Sequence, residues 1–129
     1  MIYTSYFGNM KKLDKDKCVA ICRWVPRWYN GKQYIDVAPT VSILRKWKDG
    51  PQDREAMNEY IREYQKQVLE TLDPQKIKRD LDGKILLCYE KTGDFCHRHL
   101  LADWLNQHGI PCHEWWEQKD EPPKETSLF

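Results

Sequence analysis

Apolar positions in this chain fall into two kinds of run. Ile2 to Phe7, Cys18 to Cys22, Ile85 to Tyr89 and Cys112 to Trp116 are short and nearly unbroken, with the length of buried strands. Elsewhere the apolar positions step by three and four. Met57, Tyr60, Ile61, Tyr64, Val68 and Leu72 form one stripe of a helix running from Arg54 to Leu72, capped by Asp53, with charged residues on its wet face. Thr40 to Lys48 reads as a shorter helix that Thr40 caps and Gly50-Pro51 stops. Gln75 to Leu81 reads as another, with Pro74 at its first position. Leu100, Leu101, Trp104, Leu105 and His108 trace the buried side of a last helix, ended by Gly109 with Pro111 just beyond.

Strands alternating with helices imply an α/β fold: one domain over residues 1–116, a mostly parallel sheet of about four strands with helices on both faces, in a Rossmann-like three-layer arrangement. The charged, proline-containing stretch 117–129 has no periodicity and is expected to be a mobile tail.

In open sheets of this kind ligands bind beyond the carboxyl ends of the strands, where the strand order reverses. Those ends carry Ser5 and Tyr6, then Cys22 and Arg23, then Cys88 and Glu90, and the last helix begins with Cys96, His97 and Arg98. With Asp94 as N-cap, Cys96 falls in the first helical turn, where unpaired N–H groups and Arg98 favour a thiolate. Glu90 opposes that charge. The loop Trp24 to Lys32 mixes cations with flat aromatics. Arg27 and Trp28 there suit a planar or anionic ligand by stacking and bidentate bonds, or else simply cap the core and face water.

The run Leu86-Leu87-Cys88-Tyr89-Glu90, a short turn, Cys96-His97-Arg98 and an amphipathic helix ending in Trp104-Leu105 resembles the signature of the bacterial family called domain of unknown function four-eight-eight. Upstream, Arg23 and Pro26 match the family's second-strand segment, usually Asp-Val-Arg followed by Pro, but Ile21 stands where that aspartate would be. The resemblance implies a compact α/β domain with Arg23, Cys88, Glu90, Cys96, His97 and Arg98 as its site, and it implies no established reaction.

A formal net charge of +1 removes any global field for nucleic acid, so nucleic acid is not suggested as a partner. The start of the chain lacks the pattern of a signal peptide, no apolar run is long enough to span a membrane, and the protein is expected to be cytoplasmic. Five cysteines are then read as thiols rather than a disulfide framework.

The favoured reading is a small-molecule pocket for an anionic or nucleotide-like metabolite. Cys96 is nucleophile or redox thiol, Glu90 or His97 shuttles a proton, and Arg23 and Arg98 hold negative charge. Cys88, Ser5, Tyr6, Arg27 and Trp28 complete the ligand-binding set. A Cys-x5-Arg phosphate cradle is disfavoured, because two carboxylates lie between Cys88 and Arg98. The alternative is a binding module with the same pocket and no chemistry. A zinc site through Cys96, His97 or His99, Cys112 and His113 ranks below both, since the spacing fits no compact motif. No cofactor is expected, and the oligomeric state is not legible.

Overall fold

Five strands, all parallel, form the sheet of a computed structural model that describes residues 1–89 and 95–115. They are β1 (Ile2–Tyr6), β2 (Cys18–Ala20), β3 (Lys32–Gln33), β4 (Ile85–Cys88) and β5 (Cys112–Glu114), in the order β3-β2-β4-β1-β5. Helices α1 (Val41–Asp49), α2 (Arg54–Gln67), α3 (Pro74–Leu81) and α4 (His97–Gln107) complete a single-domain α/β fold. The expected tail, 117–129, lies outside the described residues, as do Glu90, Asp94 and Trp116.

The four expected strands are present, and β3 is an addition. Its two residues are polar, exposed and at the sheet edge, so no hydrophobic pattern announces them. Strand β2 is shorter than its apolar run because side chains take over the carbonyls that a ladder would use. His97 bonds the Ile21 carbonyl, and Gln33 Nε2 donates to those of Cys22 and Arg23 at 3.0 Å each. Backbone polarity is satisfied without further strand pairing, and the chain is released toward the site.

The caps expected of α1, α2 and α3 are in place. Thr40 accepts from the Ile43 amide, Asp53 from Ala56 and Asp73 from Gln75, while Pro74 opens α3. Gly109 at φ +76 ends α4, a conformation glycine adopts without penalty. Helix α2 stops at Gln67, and a 3-10 turn, Leu69–Thr71, follows, flanked by the last two residues of the predicted stripe, Val68 and Leu72.

Alternation along the strands separates two cores. Ile2, Val19, Leu86 and Cys112 face α2, α3 and α4, packed with Tyr64, Ile77, Leu101 and Leu105. Cys18, Ala20, Ile85 and Leu87 face the other way, covered by Phe7, Leu13 and Tyr29 from a 3-10 segment and a loop. Strand β4 is buried along its whole length between β1 and β2.

Tyr64 in α2 is fully buried and its Oη donates to the Val37 carbonyl at 2.6 Å, tying α2 to the segment that leads into α1. Tyr64→Phe leaves that carbonyl without its donor and is expected to cost about 1–2 kcal/mol, read as a lower urea midpoint with unchanged slope.

Candidate active site

From β2 the chain turns outward to β3, and from β4 it crosses in the opposite direction to β5. The loops after these adjacent strands therefore part, and a crevice opens between their carboxyl ends. A cleft of about 110 Å³ occupies it. Cys22, Arg23 and Trp24 enter from the end of β2, and Cys88 and Tyr89 from β4. Phe95, Cys96 and His97 enter from the start of α4, while Trp47 and Lys48 of α1 and Tyr60 of α2 close the side.

His97 is the first residue of α4 and is buried. Its Nε2 lies 2.8 Å from the Ile21 carbonyl, and a carbonyl only accepts, so Nε2 carries the proton. Burial pulls the imidazole down to about 4, helped by the charge of Arg98 and opposed by the Ile21 bond. The ring is thus neutral at physiological pH, with its lone pair on Nδ1. That nitrogen faces Cys96 Sγ at 3.8 Å. One backbone carbonyl fixes both the tautomer and the direction in which the base points.

Cys96 is the N-cap of α4 (φ −154, ψ 145), so it precedes the first helical turn instead of lying within it. The helix starts later than an Asp94 cap would give because Phe95 is held out of the turn by aromatic packing. Its ring sits 5.2 Å from that of Trp47 and 5.0 Å from that of Tyr60.

Cys96 Sγ and Cys88 Sγ are in direct contact at the cleft, so these two cysteines form a pair that the reading of five separate thiols does not give. The end of β4 and the start of α4 bring together two residues that a count of cysteines does not pair. Cys18 and Cys112 remain buried thiols. Burial raises both, Cys112 to about 12.

Behind Cys88, away from the cleft, stands Arg98. It has no solvent exposure, and its Nη1 donates to Cys88 Sγ at 2.9 Å. Nε and Nη2 grip Glu114 of β5 at 3.1 and 2.9 Å, and the Glu114 carboxylate also accepts from Thr4 Oγ1 at 2.7 Å. The Tyr6 ring lies 5.9 Å from the guanidinium carbon.

The cleft walls are aromatic and cationic. Trp47, Tyr60 and Phe95 form one cluster, and Lys48 Nζ lies 5.5 Å from the Trp24 ring. Arg23 donates Nε to the Pro39 carbonyl at 2.8 Å, which orients the guanidinium at the cleft wall.

A family model described as the active DUF488-N3 subclade matches residues 2–109, spanning every described element but the last strand. The chain belongs to the DUF488 family. No curated protein matches the DUF488 chain, and no solved structure does.

Of the site residues expected from sequence, the DUF488 fold brings Arg23, Cys88, Cys96 and His97 to one cleft. Glu90 lies outside the described residues. Arg98 touches Cys88 from behind instead of lining the cleft, because α4 turns it onto the sheet in the same stripe as Leu101 and Leu105. Tyr6 lies beneath Arg98 on that side. Ser5 points to the opposite face, where its Oγ accepts from Asn9 Nδ2. Arg27 and Trp28 stay outside the lining. Both are exposed, Trp28 by 62%, with its ring edge-on to Phe7 and Tyr29.

Sequence reasoning missed Trp47, Lys48, Tyr60 and Phe95 as walls and Glu114 as the partner of Arg98. Tyr60 belonged to a recognised stripe, but a stripe shows which side is buried and not that its end borders a cavity. Among the described residues no helix is long and apolar enough to cross a membrane. Among them also, no group of three or more His, Cys, Asp or Glu residues is placed to hold a metal.

The low proton affinity of His97 makes a stability prediction. Above pH 6.5 the ring is neutral folded or unfolded, and the native state carries no penalty. As pH falls toward about 4 the unfolded chain binds a proton that the native chain refuses, and stability drops by up to about 3 kcal/mol. In His97→Gln, whose amide can still donate to Ile21, this component of the pH dependence should vanish. Urea unfolding of both proteins at pH 7, 5.5 and 4 measures the difference.

Proposed function

We propose that the cleft is the active site of a thiol-dependent enzyme acting on a small anionic or nucleotide-like metabolite, with reduced Cys96 as nucleophile. The observation that carries this reading is the neutral His97 ring, proton-bearing at Nε2 and directed through Nδ1 at Cys96 Sγ inside a cleft. A neutral imidazole does not hold a standing thiolate. It accepts the thiol proton as the sulfur attacks, which is general-base assistance to a nucleophile. Arg23 and Lys48 meet the negative charge of the ligand, and Trp47, Tyr60 and Phe95 receive its flat or apolar portion. Glu90, next along the chain from Tyr89, is a second candidate for proton transfer. The chemistry needs reduced sulfur, so the reading places the protein in a reducing compartment, the cytoplasm.

The test uses reduced full-length protein, alkylation with iodoacetamide across pH, peptide mapping, and a thermal-shift screen of nucleotides, sulfur metabolites and simple anions. At pH 7.5 Cys96 should be alkylated at least about tenfold faster than buried Cys112. An anionic ligand should raise Tm in the wild type and lose that effect in Arg23→Gln. Cys96→Ser should retain the ligand shift and lose turnover. A Cys96 that stays unreactive up to pH 9 removes its role as nucleophile. Function surviving Cys96→Ser would instead favour a binding module.

A further inference from the structure

Cys88 has a place at the cleft that nucleophilic attack by Cys96 alone leaves unused. Its sulfur touches that of Cys96, it lines the cleft, and its other side receives Arg98 Nη1 at 2.9 Å. A cross-link that only stapled β4 to α4 would have no use for a charged donor on one sulfur, nor for an imidazole nitrogen beside the other. Donation from a guanidinium holds the thiolate form of a sulfur, and a held thiolate is both a ready attacking group and a good leaving group. Arg98 is itself anchored by Glu114, whose carboxylate Thr4 braces, so its Nη1 is fixed in direction before any ligand arrives.

We infer that Cys88 is a second catalytic thiol, and that the cleft reduces an anionic organic disulfide by two successive exchanges. The inference rests on Cys96 as the nucleophile and adds the reaction class. First, Cys96 sulfur attacks one sulfur of the substrate R–S–S–R′. The Cys96–S–S–R bond forms, the substrate bond breaks, and R′–S⁻ leaves with the Cys96 proton passed on by His97. Then the Cys88 thiolate attacks Cys96 sulfur. The Cys88–Cys96 bond forms and R–S⁻ leaves, taking up from solvent the proton that Cys88 had given up. Substrate gains two electrons and the protein dithiol loses two. A cellular dithiol reductant reverses the second bond by the same exchange and returns both cysteines to thiols. Arg23 and Lys48 suit a carboxylate or phosphate on R, and the aromatic wall of Trp47, Tyr60 and Phe95 takes an organic R group that a peroxide or bare anion lacks. Arg98 acts through Cys88 and is a positioning residue.

The probe is dithiobis(nitrobenzoate), an anionic aromatic disulfide whose released thiolate is coloured, mixed one to one with reduced full-length protein. Wild type should release two thiolates, the second at a rate independent of probe concentration, and peptide mapping should find the Cys88–Cys96 bond. Cys88→Ser should release one thiolate and keep the adduct on Cys96. Arg98→Lys should leave the first release unchanged, slow the second by about tenfold or more and move its pH profile upward. A loss of packing alone would not produce that split. Should Arg98→Lys fail to fold, the Cys88→Ser result still decides. A stable adduct on Cys96 in the wild type, or a second bond to any cysteine other than Cys88, overturns the second thiol while leaving the nucleophile intact. A Cys96 that does not react with the probe overturns both.

Discussion

Arg98 is a charge with no access to water, and a buried charge persists only where its partners are already in place. Among the described residues, two strands supply its hydrogen-bond partners and a third braces one of them. Glu114 supplies a two-point carboxylate from β5, Thr4 of β1 braces that carboxylate, and Cys88 of β4 accepts from Nη1. The register that sets Thr4 opposite Glu114 is therefore also the register that lets α4 seat its second residue on the sheet. With Arg98 so placed, the residue before it must face the end of β2. His97 reaches Ile21 there, and Cys96 turns toward Cys88 at the cleft.

Placing a histidine beside a buried arginine has a chemical consequence. Burial and the neighbouring guanidinium both disfavour imidazolium, and the single compensating bond to Ile21 does not restore it. The ring serves as a neutral acceptor next to Cys96, while the formal charge of the cluster is paired on the far side of Cys88. The two sulfurs thus have different neighbours, an uncharged base at one and a fixed cationic donor at the other. Such asymmetry suits a reaction in which one thiol attacks first and the other follows.

The sheet delivers this arrangement because the connections after β2 and β4 leave in opposite directions. A crevice is the necessary result of that topology. What lines it follows from the lengths of the strands. β2 ends early once Gln33 and His97 take the next carbonyls, and Arg23 is then free of the ladder and anchored by Pro39 at the wall.

Much of this was legible in the chain. Apolar period marked four of the five strands and the helices, cap residues marked the starts of α1, α2 and α3, and the density of Cys, His and Arg around one turn marked the chemistry, since these are local properties of neighbouring residues. Local pattern could not show which way His97 and Arg98 face. The helical stripe was drawn through Leu100, Leu101, Trp104, Leu105 and His108; Leu101 and Leu105 are buried as drawn, yet His108 is exposed and the buried face continues through His97 and Arg98 instead. Polar side chains on a buried face are recognised only by their partners, and Glu114 and the Ile21 carbonyl lie far away in sequence. The same holds for the walls Trp47, Tyr60 and Phe95, which become a site only when separate elements meet. Sequence alone determined the elements and the family's cluster of reactive groups. Tertiary structure decided which of those groups faces the cleft and which stands behind it, because burial and pairing of charge are settled between strands and helices distant along the chain.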